Sequence, residues 1–341
     1  MPTSFQLSSH LQLGLPSRLS VAVCVSRRAK AKAAGRIQTA TQAQPASVTS
    51  RPKVPQTIHD VDNGSILGFG ADLAEDHPGF HDPQYKRRRA AIADMARRHQ
   101  IGERIADVEY GPEEVAVWGQ VLQELEGLFP RHACAQFLRS YPECGFRKGK
   151  VPQLQELSEL LQRRTGWTIR PVAGLMHPRD FLAGLAFKHF HSTQYMRHPC
   201  QPSYTPEPDV CHELIGHVPM LVDPAYAELV QAIGVASLGA DEKMIWHLTK
   251  VYWYTVEFGV VREGDSVKAF GAGILSSFGE LQHLTAGRAQ LLPFDPFAPQ
   301  PKMSYKDGYQ KAYFVLESFE DGAAKIRALA HSLQQQPAAL Q

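Results

Sequence analysis

The chain has 341 residues, of which 43% are hydrophobic and 21% are charged, a composition that predicts a folded protein with a substantial core. The formal net charge is +2, but residues 1–59 carry eight Lys and Arg and no acid, so residues 60–341 have a formal charge of −6. A mildly acidic body argues against nucleic acid or an anionic membrane as partner and favours small-molecule ligands.

Residues 1–50 are rich in Ser, Thr, Ala and Gln and contain Arg and Lys without any acid, which is typical of an organelle transit peptide. The arginines are scattered rather than helically phased, which favours the chloroplast, with the mitochondrion as the alternative. Residues 51–75 are predicted to be a linker or arm, residues 76–332 a single domain and residues 333–341 a tail.

The five cysteines are widely spaced and form no CxxC pair. Reduced thiols are therefore predicted, rather than disulfides or a thiolate zinc site. No apolar run approaches the roughly 20 residues needed to cross a bilayer, so no membrane partner is expected.

Helical patterns dominate the rest of the chain. Apolar residues recur at three- and four-residue spacing, and Asp223 followed by Pro224 is a typical helix start. The predicted elements in chain order are helices at 85–99, 112–128, 154–165, 223–234 and 241–259, an extended segment at 167–172 and a hairpin at 258–270. The predicted fold class is mainly α, a single helical domain with short strands and a hairpin.

His212 and His217 are candidate metal ligands in the motif CHELIGH at 211–217. A zinc peptidase places two histidines four residues apart on one helix face. A spacing of five turns the second imidazole about 140° away on an α-helix. The zinc reading therefore fails unless the helix is distorted or ends nearby, and Gly216 and Pro219 predict such an irregularity.

Glu257 is the best candidate for a third ligand, because it is the one carboxylate in the apolar and aromatic run YWYTVEFG at 252–259. A buried lone carboxylate is costly unless a metal or cation compensates it. Two histidines and one carboxylate with open positions suit ferrous iron that must bind oxygen. The alternative is a helix in which Glu257 pairs with an arginine.

Two further residues indicate the substrate. Trp253 precedes Glu257 by four residues, which places both on the same face of an α-helix. Trp253 would then form an aromatic wall beside the metal. Arg197 offers a two-pronged guanidinium that could receive an amino acid carboxylate.

Eight blocks in order along residues 76–320 carry a resemblance to a known family, among them RPVAGL at 170–175, RDFLAGLAF at 179–187, YTPEPD at 204–209, CHELIGHVP at 211–219 and GAGILSSFGE at 271–280. They resemble the tetrahydropterin-dependent aromatic amino acid hydroxylases in their phenylalanine-oxidising form. The resemblance implies that residues 76–332 form an iron-dependent catalytic domain that converts L-phenylalanine to L-tyrosine with O2 and a reduced cofactor.

The resemblance also implies roles for individual residues. It agrees on His212, His217 and Glu257 as ligands of Fe(II). The cofactor-binding residues that it implies are Phe181, which stacks on the pterin ring, with Gly174, Leu175, His191, Glu213 and Tyr252. The substrate-binding residues that it implies are Arg197, Thr205, Pro208, Trp253, Phe258 and Ser276.

The chain departs from the animal members in three places. It has no room for their N-terminal regulatory domain and lacks their long C-terminal tetramer helix, so a monomer or weak dimer is expected. Met176, His177 and Pro178 stand where animal enzymes have Leu and Ser. Because the plastid relatives resemble folate-using enzymes, a reduced folate such as 10-formyltetrahydrofolate is an alternative to a tetrahydropterin.

Three other functions remain open on the sequence. A tyrosine or tryptophan hydroxylase of the same family would share every proposed ligand. A non-catalytic metal-binding relative should have lost a ligand, and all three are retained. A metallohydrolase that uses zinc is disfavoured by the five-residue spacing of the histidines.

Overall fold

The computed structural model describes residues 54–62, 66–68, 73–203, 205–303 and 308–335, all within one compact unit, Ser50–Gln341. The predicted transit peptide and residues 336–341 of the predicted tail lie outside the described residues.

Helices make up most of the described chain, and the predicted fold class is confirmed. The α-helices are α1 Pro83–Arg98, α2 Pro112–Glu126, α3 Phe129–His132, α4 Ala135–Ser140, α5 Leu154–Thr165, α6 Pro178–Ala186, α7 Val218–Leu221, α8 Pro224–Ser237, α9 Glu242–Tyr252, α10 Ala272–Leu275, α11 Phe278–Thr285 and α12 Phe319–Gln335. Two π-helical segments are π1 His212–His217 and π2 Trp253–Glu257, and short 3-10 turns span Ile58–Asp60 and Tyr141–Cys144.

Helix starts follow the capping chemistry of the sequence. Asp223 accepts hydrogen bonds from two backbone N–H groups at the start of α8, and Pro224 occupies the first helical position, where no N–H is needed. Asp82 caps α1 in the same way, and Asp241 caps α9 by accepting from the Met244 N–H. Such local signals explain why the helix starts at 223 and 241 were predictable.

The strands are β1 Ile66–Gly68, β2 Thr168–Pro171, β3 Leu175–Met176, β4 His189–Ser192, β5 Gly259–Glu263, β6 Ser266–Ala269, β7 Gln290–Pro293 and β8 Ala312–Leu316. The predicted hairpin is confirmed as the antiparallel pair β5–β6. It belongs to a four-stranded sheet of order β6-β5-β8-β7, in which β8 lies parallel to both neighbours. The predicted extended segment is β2, which pairs in parallel with β4, while β1 pairs with β3.

The prediction of one helix over residues 241–259 was wrong at its C-terminal end. The α-helix ends at Tyr252, π2 follows, and β5 begins at Gly259. Close backbone approach requires Gly259, because a Cβ there would lie 2.2 Å from the Phe270 ring. The apolar and aromatic run at 252–259 is thus divided among the end of α9, π2 and the start of β5.

The core lies between α8 and the helices α6, α9 and α12. Trp118, Trp167, Tyr226 and Phe319 are among the fully buried large side chains of the main hydrophobic core. At Gly234 the backbone of α8 touches the end of α6, since a Cβ would lie 2.2 Å from the Ala186 nitrogen. This packing fixes α6, and with it Phe181, relative to π1. Among the described residues no helix is both long and apolar enough to cross a bilayer.

Candidate metal centre and its surroundings

His212, His217 and Glu257 converge on one point. The Nε2 atoms of the two histidines are 3.2 Å apart, and they lie 3.4 Å and 3.3 Å from the two Glu257 carboxylate oxygens. Ligand atoms about 2.1 Å from one ion and at right angles to each other would be about 3.0 Å apart. A single transition-metal ion therefore fits this donor set with little movement.

The π-helix explains the five-residue spacing of the histidines. A π-helix is hydrogen-bonded from residue i to i+5, so residues five apart are stacked along its axis. His212 and His217 are the first and last residues of π1, and the chain continues directly into α7 at Val218. The prediction of an irregularity near Gly216 is confirmed, but the two imidazoles meet within a widened turn rather than at a helix end.

A second π-helix carries Glu257. Within π2 the Phe258 N–H donates to the Trp253 carbonyl, a five-residue bond of 2.9 Å. The Trp253 and Phe258 rings lie 4.7 Å apart between centroids, and a Cβ on Gly273 would lie 2.6 Å from Phe258. The α-helix assumed for residues 253–257 is a π-helix, in which Trp253 packs on Phe258, the residue that follows Glu257. That Trp253 shares the face of Glu257 as an aromatic wall stays a prediction.

Ser276 determines which nitrogen of His212 is free to bind a metal. The Ser276 hydroxyl donates to the Ala272 carbonyl at 2.7 Å, and Oγ lies 2.9 Å from His212 Nδ1. Because the hydroxyl hydrogen is used, Oγ accepts a hydrogen from Nδ1, and His212 Nε2 keeps its lone pair for a metal. The resemblance implies a substrate-binding role for Ser276, and nothing in the sequence indicated this contact.

The electrostatics suit metal binding. Burial lowers the pKa of His212 to about 4, so the imidazole is neutral near pH 7. Burial alone would raise the pKa of Glu257, but the facing His217 and His212 outweigh it and hold that pKa below its ordinary value. A neutral His212 and an ionised Glu257 are the forms in which these side chains bind a metal.

A second cluster lies beside the metal residues. The Phe181 ring packs edge-on against Tyr252 at 5.1 Å and lies 6.0 Å from the His191 ring. Burial lowers the pKa of His191 to about 3, and both of its ring nitrogens are buried without a hydrogen-bond partner. Burial also raises the pKa of Glu213 well above its ordinary value. Unpaired polar atoms beside aromatic rings are what a flat heterocycle with several hydrogen-bonding groups would satisfy.

The strand β3 precedes α6, with Gly174 buried before the strand and Leu175 exposed on it. His177 caps α6, where its Nδ1 accepts from the Arg179 N–H at 3.2 Å. A Cβ on Gly184 would lie 2.1 Å from the His191 ring, so this position in α6 needs glycine for His191 to occupy its place.

Arg197 is buried and its guanidinium is already paired. Its Nε and Nη2 donate to the two Asp209 oxygens at 2.9 Å and 2.8 Å, and Nη1 donates to the Pro202 carbonyl at 3.1 Å. The two-pronged face predicted to clamp a substrate is therefore used by Asp209. Asp209 also accepts from the His212 backbone N–H at 3.0 Å, so it joins Arg197 to the start of π1. Sequence reasoning missed Asp209, although it lies inside the motif YTPEPD.

The remaining two candidates belong to the loop before π1. Thr205 donates its hydroxyl hydrogen to the Glu207 carbonyl at 2.8 Å, and the Pro208 carbonyl accepts from Thr193 at 3.2 Å. Glu207 is buried and bonded to the Arg89 guanidinium. The loop is thus held by a buried ion pair.

The donor set fits a mononuclear non-haem metal centre of the kind that binds iron(II) in oxygenases. A sequence model described as biopterin-dependent aromatic amino acid hydroxylase matches residues 52–339. The chain belongs to this family.

Individual relatives agree. The chain is 69% identical over 287 residues to a chloroplastic phenylalanine 4-monooxygenase of Chlamydomonas reinhardtii, covering 84% of this chain and 80% of the relative. It is 58% identical over 331 residues to the protein of the same name from Physcomitrium patens, covering 96% and 84%. A crystal structure of Chromobacterium violaceum phenylalanine hydroxylase with bound iron(III) and 7,8-dihydrobiopterin matches with a TM-score of 0.64 at 31% identity, covering 74% of this chain and 92% of that one.

Proposed function

We propose that the chain is an iron-dependent mono-oxygenase that converts L-phenylalanine to L-tyrosine, using O2 and a reduced pterin or folate as co-substrate. The observation that carries the proposal is the triangle of His212, His217 and Glu257, with the paired Trp253 and Phe258 rings and the unpaired His191 ring nitrogens near it in the fold. Names of relatives that are 69% and 58% identical support phenylalanine as the substrate. Tyrosine and tryptophan hydroxylation remain the alternatives.

His212, His217 and Glu257 would hold the iron. Bound iron and the reduced co-substrate together supply the activation of O2, with one oxygen atom entering tyrosine and the other the co-substrate. The chain's own residues orient the donors: Ser276 fixes the tautomer of His212, and the Tyr252 hydroxyl hydrogen-bonds to Glu257. Trp253 and Phe258 would exclude water from the substrate ring, since both are apolar surfaces beside the metal.

The co-substrate would lie against Phe181. Its ring nitrogens and amide would satisfy the unpaired His191 nitrogens and the Glu213 carboxyl, whose raised pKa favours a form that can donate as well as accept. His177 spends Nδ1 on the cap of α6, and Pro178 has no side-chain donor. The segment therefore offers no hydroxyl to the side chain of a biopterin, which favours 10-formyltetrahydrofolate as a candidate.

Arg197 would meet the substrate carboxylate. Its three side-chain nitrogens already donate to Asp209 and Pro202. Arg197 would therefore bind the substrate carboxylate through the Nη1 and Nη2 hydrogens that these bonds do not use. Thr205 and Pro208 would line the same side, on the loop anchored by Glu207.

The test is tyrosine formation by residues 51–341 loaded with ferrous iron under O2, with tetrahydrobiopterin and 10-formyltetrahydrofolate supplied separately. We expect tyrosine with at least one of them, and none from Glu257→Gln, whereas Glu317→Gln, an exposed glutamate paired with Arg262, should behave as the parent. Parallel reactions with tyrosine and tryptophan separate the family alternatives. Iron-loaded parent protein that makes no hydroxylated product from any of the three amino acids would refute the proposal.

We also propose that residues 1–50 direct the protein to the chloroplast, which the printed names of the relatives support. Import into isolated chloroplasts and mitochondria of a reporter fused to these residues would discriminate between the two organelles. The expected monomer or weak dimer stays a prediction, which sedimentation of the purified chain would test.

A further inference from the structure

Gln310 links the aromatic wall to α11. Its side-chain Oε1 accepts from the Trp253 indole Nε1 at 3.4 Å. Gln310 is buried, with 6% of its surface exposed, whereas the neighbouring Tyr309 is 53% exposed. A buried glutamine whose oxygen is directed at an indole N–H restrains the rotation of that ring, because turning away would break this hydrogen bond.

The backbone of Gln310 is held on both sides, which makes it a rigid support. Its N–H donates to Glu280 Oε1 at 3.0 Å, and its carbonyl lies 3.0 Å from His283 Nε2. Glu280 also accepts from the Tyr313 hydroxyl, and the His283 ring stacks on Tyr309 at 5.0 Å. Two backbone hydrogen bonds, to side chains that are themselves held by Tyr313 and Tyr309, therefore fix the position from which Gln310 reaches Trp253.

The same helical unit supports the metal site. Ser276, which contacts His212, ends α10, and Glu280 lies four residues further on in α11. A displacement of this unit would thus change the metal ligand and the aromatic wall together. Trp253 in turn packs on Phe258, which follows Glu257 directly.

We propose that Gln310 is a positioning residue for the hydroxylation: its side-chain carbonyl holds the Trp253 indole in the orientation that forms one wall of the substrate pocket. This inference rests on the function proposed above. The residue acts through Trp253 and need not touch the substrate. By fixing Trp253, Gln310 would determine how firmly the substrate's aromatic ring is held near the metal. It would therefore determine what fraction of co-substrate oxidation events yields a hydroxylated product.

The test compares Gln310→Met, which removes the acceptor at similar length, with Gln310→Glu. In Gln310→Glu, burial beside Glu280 favours the neutral form of the introduced carboxyl group. Its carbonyl oxygen can still accept the hydrogen bond from Trp253. The control is Gln300→Met, since Gln300 is equally buried at 6% and bonds to Asp295 and Ala298 rather than to the wall. The full chain loaded with ferrous iron is used throughout.

For Gln310→Met we expect a KM for phenylalanine about two- to tenfold higher, the range that one hydrogen bond provides. Less tyrosine should form per co-substrate oxidised, and Gln310→Glu should restore both values. The decisive measurement is a double-mutant cycle with Trp253→Phe, which keeps a ring and removes the N–H. Once Trp253 is replaced, Gln310→Met should have no further effect.

Additive losses in the cycle, or a KM and coupling ratio in Gln310→Met equal to those of the parent, would overturn the proposal. If Gln310→Met does not fold, Gln310→Asn, which withdraws the carbonyl by one methylene and keeps the backbone bonds, enters the same cycle. If the parent makes no product, the proposed function fails. The positioning role is then tested by the near-ultraviolet circular dichroism of Trp253, obtained by subtracting the spectrum of Trp253→Phe. A Trp253 band that is unchanged in Gln310→Met would overturn the positioning role.

Discussion

Replacing Gly234 by alanine should separate α8 from α6, the helix that carries Phe181. Gly234 lies in α8 where it crosses the end of α6, and an added Cβ would lie 2.2 Å from the Ala186 nitrogen and 2.6 Å from the Leu185 carbonyl carbon. Both neighbours are backbone atoms, so no side-chain rotation can relieve the overlap. The helices must move apart or the core must repack.

The expected loss of stability follows from two opposing contributions. Overpacking a close-packed core costs about 1–3 kcal/mol, and a clash with backbone lies at the upper end of that range. Alanine is better than glycine inside a helix by about 1 kcal/mol, which offsets part of the cost. A net loss of about 2 kcal/mol lowers the melting temperature by roughly 4–8 °C for a chain of this size.

Urea and thermal unfolding of Gly234→Ala measure this loss, with Gly149→Ala as the control, because a Cβ at Gly149 has no atom within 4 Å. Since α6 carries Phe181, the KM for the co-substrate should also rise. A Gly234→Ala protein as stable as the parent would refute the packing argument, because the helix-propensity gain alone would then have decided the outcome.

Three further predictions concern single contacts. Burial lowers the pKa of His77 from 6.5 to about 4, so the unfolded state binds more protons between these pH values. The free energy of unfolding should therefore fall by up to roughly 3 kcal/mol between pH 6.5 and pH 4. His77→Asn should reduce this pH dependence, as measured by urea unfolding at each pH. Ser276→Ala should weaken iron binding about 10- to 100-fold, because His212 loses its orienting partner; an unchanged affinity in chelator competition would contradict this. Arg197→Lys cannot reproduce the two bonds to Asp209, so calorimetry should show a loss of about 2 kcal/mol.

The features that could be predicted from the sequence are local. Capping by Asp223 and Asp241 needs only neighbouring backbone N–H groups, so those helix starts were visible without tertiary information. Glu257 was singled out because a lone carboxylate in an apolar run needs compensation. The structure brings it to His212 and His217, and their role as iron ligands remains a proposal.

The features that could not be predicted depend on partners distant in the chain. The pairing of β8 with β5 joins residues more than 50 positions apart, and the bond from Gln310 to Trp253 spans 57. Neither leaves a periodic signal in the sequence. The contact between Ser276 and His212 is of the same kind, since a serine after a short apolar helix has no pattern that indicates an imidazole.

The histidine spacing shows how a pattern can be informative and still be misread. On an α-helix the fifth residue is turned about 140° away. Either the two histidines do not bind the same metal ion, or the helix is not an α-helix. The second condition holds: both segments that carry candidate ligands, π1 and π2, are π-helical. Isolated π turns are frequent at functional sites. Here one brings His212 to His217 and the other brings Trp253 to Phe258, so the widened turns build both the candidate metal triangle and the pair of rings proposed as the substrate wall.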